Sequence, residues 1–157
     1  VDGRLEVRDD DGADPAIALA DVVGVDRESL TVDGAVHHGV LVEHVRRDGR
    51  QVGTLLAPVD DRARRLLERY VRADLDYREQ RAADADLSSD EHDVLDALET
   101  NPGKRNLAKL LDMDRDRLTT DLDSLADAGF VHAAEDGVRI SGLGRLRLGK
   151  TAADVGA

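Results

Sequence analysis

The spacing of apolar residues changes period at Pro58, and that change limits the fold more than any other feature of the chain. Before Pro58 apolar residues alternate with polar ones; after it they return every three or four positions. Alternation marks a strand with one buried face, and the longer return marks an amphipathic helix. A sheet followed by a covering helix is therefore expected. Two Asp-Gly dipeptides separate the alternating runs. Asp33-Gly34 lies in SLTVDGAV (29–36), and Asp48-Gly49 lies between VHHGVLVEHV (36–45) and QVGTLLA (51–57). Asp-Gly tolerates the positive φ values of a tight hairpin, so both mark antiparallel turns. GRLEV (3–7) reads as a strand, DDDGADP (9–15) as a turn, and AIALADVVGV (16–25) as one bent strand. The expectation over residues 1–58 is an antiparallel, half-closed sheet.

A helix is expected from about Asp60 to Ala82, with Asp60 as its N-cap. Ala63, Leu66, Leu67, Tyr70, Val71 and Leu75 form its apolar face, which would close the open side of the sheet. The period fades over EQRAADAD (79–86), and residues 83–87 read as a linker. Ser88-x-x-Glu91 is a capping box that opens a helix carrying Val94, Leu95 and Leu98 inward. TNPG (100–103) ends it. A short helix holds Leu107, Leu110 and Leu111. Asp114 caps a third, with Leu118, Leu122 and Leu125 as its core stripe and Gly129 as its C-cap. FVHAA (130–134) and VRIS (138–141), joined through Glu135-Asp136-Gly137, read as a two-stranded wing. GLGRLRLG reads as a tail, and residues 149–157 as frayed. The expected domains are thus 1–82, a sheet with its terminal helix, and 88–148, a winged helix-turn-helix. Since Val1 falls inside a strand-like stretch, an upstream portion is also expected.

Composition removes several function classes. The chain has no cysteine, which excludes disulfides, thiolate zinc sites and thiol catalysis. No apolar run approaches the roughly 18 residues of a membrane helix, and no signal-peptide pattern opens the chain. The net charge is −12, with abundant Asp and only three Lys, as in the proteins of salt-loving archaea. Surface acidity of this kind keeps a protein hydrated, so the position of a charge is more informative than the sum.

Catalytic and metal motifs are missing. His37, His38, His44, His92 and His132 show no helical i, i+4 pair around a glutamate. His38 and His44 share a strand face but stand roughly 20 Å apart at about 3.3 Å per residue. They read as partly exposed strand histidines, and neither a metal nor a cofactor is expected. No nucleophile elbow, P-loop or dinucleotide fingerprint follows a strand, so no enzyme is expected.

Two binding surfaces remain. The third helix of the winged unit has the position of a DNA-reading helix. Yet residues 88–148 hold 8 Lys or Arg against 13 Asp or Glu, a local charge of −5. Phosphate contact dominates DNA affinity, so this balance favours protein binding over DNA binding. On the long helix, Arg62, Arg65, Arg69 and Arg72 recur at i, i+3, i+7 and i+10 as one stripe. It is either a solvated helix face or a landing strip for an acidic partner.

The order of pieces resembles the CheF family of archaeal taxis proteins. The resemblance runs from GRLEVRDDDG and AIALADVVGVDRE through VLVEHVRRDGRQVGTLLAPVDDRARRLLERYVRADLDY. It continues into LSSDEHDVLDALETNPG and LAKLLDMDRDRLTTDLDSLADAGFVHAAEDGVRISGLGR. The helix LLERYVRADLDY, a short linker and an acidic winged helix carry it together. It implies an α+β chain: a second PH-like domain, with an antiparallel sheet closed by a long helix, and then a winged helix-turn-helix. It further implies a non-enzymatic cytoplasmic adaptor that links the response regulator CheY to the archaellum motor, with CheD as another partner. The alternative is a winged-helix DNA-binding transcriptional regulator.

Overall fold

The structure is a computed structural model that describes residues 3–6, 16–58, 60–100, 106–135 and 137–155, with side chains through residue 149. The chain is an α+β protein with antiparallel strand pairing throughout the described residues. It divides into two compact units, Val1–Arg78 and Glu79–Ala157.

In the first unit β1 (Arg4–Glu6) pairs with β2 (Ala16–Ala18), while β3 (Val22–Val32), β4 (Ala35–Val45) and β5 (Gln51–Leu56) form a separate meander. Neither of these sheets closes, so the half-closed sheet expected from the sequence is instead an open meander beside a two-stranded ribbon. The single bent strand expected over 16–25 is likewise two strands, divided by a 3-10 turn at Leu19–Asp21. The turn forms because Leu19 buries its side chain while its N–H donates to the Gly3 carbonyl at 2.9 Å. Both Asp-Gly sites are turns. Asp33 and Gly34 have φ of 50° and 80°, the paired positive values of a tight hairpin. At the second, the Asp48 carboxylate accepts from the Arg50 backbone N–H at 3.0 Å and from its Nε at 2.9 Å. The turn DDDGADP (9–15) lies outside the described residues.

The meander buries Val22, Val25, Val40, Val42, Val45 and Leu56. At Gly39 an added Cβ would lie 2.6 Å from the Leu56 carbonyl, so the end of β5 approaches β4 more closely than any side chain there permits.

Helix α1 (Asp61–Asp84) begins where the Asp60 carboxylate accepts from the Ala63 N–H at 2.7 Å. It buries Val71 and Leu75, each worth roughly 1.5–3 kcal/mol when fully removed from water. Three links tie it to β3 and the turn before it. Arg27 Nε donates to Glu68 at 2.7 Å, Arg72 Nη2 to the Val25 carbonyl at 2.6 Å, and Arg78 Nη1 to the Val22 carbonyl at 2.7 Å. The α1 numbers rise as the β3 numbers fall, so helix and strand run in opposite directions.

The buried line of α1 differs from the expected one. Leu67, Val71, Leu75, Arg78 and Ala82 face inward, whereas Leu66 and Tyr70 are 56% and 57% exposed. Arg78, only 8% exposed, shares this inner line with the apolar residues through its hydrogen bonds to Val22, Ala20 and Asp74.

The second unit follows its capping signals. The Ser88 hydroxyl accepts from the Glu91 N–H at 3.1 Å at the start of α2 (Ser89–Thr100), which buries Val94, Leu95, Ala97 and Leu98. From Asn101 the loop that begins TNPG lies outside the described residues. After α3 (Leu107–Leu110), Asp114 caps α4 (Arg115–Asp127) by accepting from the Asp116 N–H at 3.1 Å. Leu125 on α4 is fully buried, while Leu118 and Leu122 are half-buried. Gly129 has φ of 85° and releases the chain into β6 (Val131–Ala134), which pairs with β7 (Gly137–Ile140).

The segment read as a tail is the first part of α5 (Gly142–Val155), which buries Leu143, Leu146 and Leu148. Gly144 is a packing residue: a Cβ there would collide with the Phe130 carbonyl and come within 2.6 Å of Ile140 Cγ1. Arg147 Nη1, also on α5, donates to the carbonyls of Ala82 and Ala83 at 2.9 Å each and so satisfies the last turn of α1.

Candidate partner-binding surface

The outward face of α1 within the first unit carries an unusual set of side chains. Arg62, Arg65, Arg69 and Arg72 are all exposed, and the helical repeat places them within about one quadrant of the axis. They are not equivalent. Arg72 is committed to the Val25 carbonyl. Among the described residues, Arg62, Arg65 and Arg69 enter no ion pair. The neighbouring positive charges are taken: Arg64 pairs with Asp61 at 3.0 Å, and Arg27 with Glu68 at 2.7 Å. Three cations therefore stand open to solvent on a chain of net charge −12.

Beside them lie Leu66, Tyr70 and Tyr77, which are 56%, 57% and 68% exposed. The chain has only two tyrosines, and both point outward from this one helix. Sequence reading placed Leu66 and Tyr70 in the core and left Tyr77 unremarked. A signal was available in the spacing, since Leu66, Tyr70 and Tyr77 recur at i, i+4 and i+11. Tyrosine and arginine together are the residue types enriched where protein interfaces gain most of their affinity.

The histidines carry no metal geometry. Among the described residues no group of three His, Asp or Glu side chains is placed to hold an ion. His37 and His38 are exposed on β4, and His38 Nδ1 lies 2.7 Å from the Ser29 hydroxyl. His44 Nε2 lies 3.0 Å from the Thr54 hydroxyl, and burial together with Arg46 holds its pKa below the ordinary value of 6.5 against an opposing pull from Asp21. A shallow cleft of about 550 Å³ opens here, bordered by Arg4, Arg46 and Arg47 but also by Asp21 and Asp48. The hydrogen bonds from Arg50 hold the Asp48 carboxyl below its usual range. The mixed signs give the cleft no preference for one ionic class of ligand.

In the second unit α4 exposes Arg115, Asp116, Arg117, Asp123 and Asp127. Arg117 is paired with Asp90 of α2, which subtracts one of its two cations. Glu135 at the turn between β6 and β7 is exposed, and Asp136 lies outside the described residues. Like charge along this face opposes the phosphate contacts that DNA affinity needs.

Residues 1–77 match the family described as Archaeal Chemotaxis signal transduction system protein F. The chain is 31% identical over 153 residues to Taxis protein CheF2 of Halobacterium salinarum, an alignment that covers 98% of this chain and 52% of that protein. The chain thus spans about half the length of the curated relative it matches. No solved structure matches. Among the described residues no helix is long and apolar enough to cross a membrane.

Proposed function

The chain belongs to the CheF family of archaeal taxis proteins, and on that premise we propose that it is a non-enzymatic adaptor of archaeal taxis signalling. In this reading it works in the cytoplasm and joins the response regulator CheY to the archaellum motor, with CheD as a further partner. The first unit serves as a PH-like domain whose terminal helix is α1, and the second as a winged helix used for protein contact.

The observation that supports a binding role is the outer face of α1, where Arg62, Arg65 and Arg69 stand uncommitted beside exposed tyrosine and leucine. A guanidinium holds a carboxylate through two parallel hydrogen bonds, which suits an acid-rich regulator surface. In a salt-rich cell, where the screening length falls to about 3 Å near 1 M, long-range steering fails. Close, partly desolvated pairs next to apolar contact then carry the affinity.

Calorimetric titration of CheY into the wild-type chain and into the Arg65→Glu, Arg69→Glu double variant tests the assignment. The variant is expected to fold, because both side chains are exposed, and to lose on the order of 2 kcal/mol of binding. Equal affinity in the two forms would move the regulator contact off α1. Absence of CheY binding by the wild-type chain would remove the adaptor reading itself.

A further inference from the structure

We propose that the outer face of α1 is self-complementary and pairs with α1 of a second copy of this chain, antiparallel about a two-fold axis close to Arg72. The seam consists of Leu66, Arg69, Tyr70, Ala73, Asp76 and Tyr77, all exposed. Their spacing of three, one, three, three and one residues is the repeat that keeps one stripe of a helix against a partner helix.

Direction follows from charge and size. Two parallel copies would bring Arg69 level with Arg69 and Asp76 level with Asp76, like charge against like charge. Reversing one copy sets Arg69 opposite Asp76 of the second copy, and symmetry makes that pair twice. The same reversal lays Tyr70 over Ala73 of the second copy, a large side chain on a small one, and Leu66 against Tyr77. These pairings all centre within about half a residue of Arg72, as an isologous interface requires.

At that centre Arg72 would meet its own symmetry copy. It is instead drawn toward its own sheet by the 2.6 Å bond to the Val25 carbonyl, which takes its charge away from the axis. Arg62 continues the same stripe one turn before Leu66, and Arg69 is shared with the regulator contact proposed above, so pairing of two copies and regulator binding compete for this face. A single helix pair buries less than the roughly 1,200 Å² of a standard interface, so the dimer is expected to be weak and concentration-dependent.

Sedimentation velocity of the full chain over a range of concentrations, paired with cross-linking, tests this without any other protein. The native chain has no cysteine, so Ala73→Cys introduces a single thiol next to the axis. Under mild oxidant it is expected to form a disulfide-linked dimer, while Thr31→Cys on the exposed β3 strand is not. Arg69→Asp alone and Asp76→Arg alone are each expected to weaken self-association by at least about tenfold. Mixing those two single variants should regenerate a heterodimer, and combining both changes in one chain should restore the homodimer. A chain that stays monomeric with Ala73→Cys no more cross-linked than Thr31→Cys would overturn the proposal. So would failure of the charge exchange to restore association while circular dichroism shows every variant folded.

Discussion

Arg78 donates from Nη1 to the carbonyl of Val22 at 2.7 Å across 56 residues of sequence, and through this bond a helix is fastened to the first residue of a strand. The same nitrogen reaches the Ala20 carbonyl at 3.3 Å, and Nε is held by Asp74 at 2.8 Å one helical turn back. The guanidinium thus bridges the carbonyls around the 3-10 turn to a carboxylate that aims it.

Replacing Arg78 is expected to destabilise the first unit strongly. Arg78→Ala would remove these bonds and leave the buried Val22 carbonyl unsatisfied, a loss of about 3–5 kcal/mol for a broken buried charge network. Arg78→Lys should rescue little, because a compact ammonium cannot serve Asp74 and two carbonyls from one planar fork. Urea denaturation followed by circular dichroism measures both. Near-native stability for Arg78→Ala would mean the latch is incidental.

Gly144→Ala is expected to loosen the second unit by about 1–3 kcal/mol, the usual cost of forcing atoms into a packed site. The methyl would drive α5 away from the Phe130 carbonyl and from Ile140. Gly149→Ala is the control, since nothing lies within 4 Å of a Cβ there. Thermal unfolding of the two variants should separate them clearly.

These residues show which parts of the fold could be read in advance. Caps and turns are local, so Asp60, Ser88, Asp114 and both Asp-Gly pairs announce themselves in a few consecutive positions. The rotation of α1 is not local. Leu66 and Tyr70 look like core residues until the chain has folded, because only the distant Val22 and Ala20 carbonyls make an inner position acceptable to Arg78. Helix α5 was hidden for the opposite reason. Its glycines lower helix propensity, and the use of Gly144 becomes visible only once Phe130 and Ile140 stand against it. Of the arginine stripe, the sequence showed the spacing but not that Arg72 is spoken for by Val25.

His44 makes the first unit sensitive to mild acid. Its folded-state pKa lies below 6.5, so between that lowered value and 6.5 the unfolded chain binds more protons than the folded one. Stability from this group is fully present above about 6.5 and is lost as pH falls toward the folded value. His44→Gln should therefore flatten the pH dependence of the unfolding midpoint in this window. An unchanged slope would assign the acid sensitivity to other groups.

Sequence-selective DNA binding is not expected. Fluorescence anisotropy with genomic fragments, at the salt concentration of the cell, should show no complex in the specific range of about 10⁻⁸ M or tighter. A complex of that strength would restore the regulator reading and require the acidic face of α4 to be bypassed.

The β3–β4 hairpin has a consequence for solubility. Opposite β4, β5 pairs only with residues from Val40 onward, so the β4 stretch 35–38 is bordered by β3 alone. Leu30, Val32 and Val36 are about half exposed along this projecting ribbon. An uncovered strand edge with apolar side chains is a template on which further chains can stack into fibrils. Glu28 and Asp33 stand along the same ribbon, and their repulsion between neighbouring chains opposes such stacking. The acidity of the chain thus also acts as a gatekeeper against amyloid-like growth. Neutralising those two carboxylates would turn this arm into the point where insoluble material first nucleates.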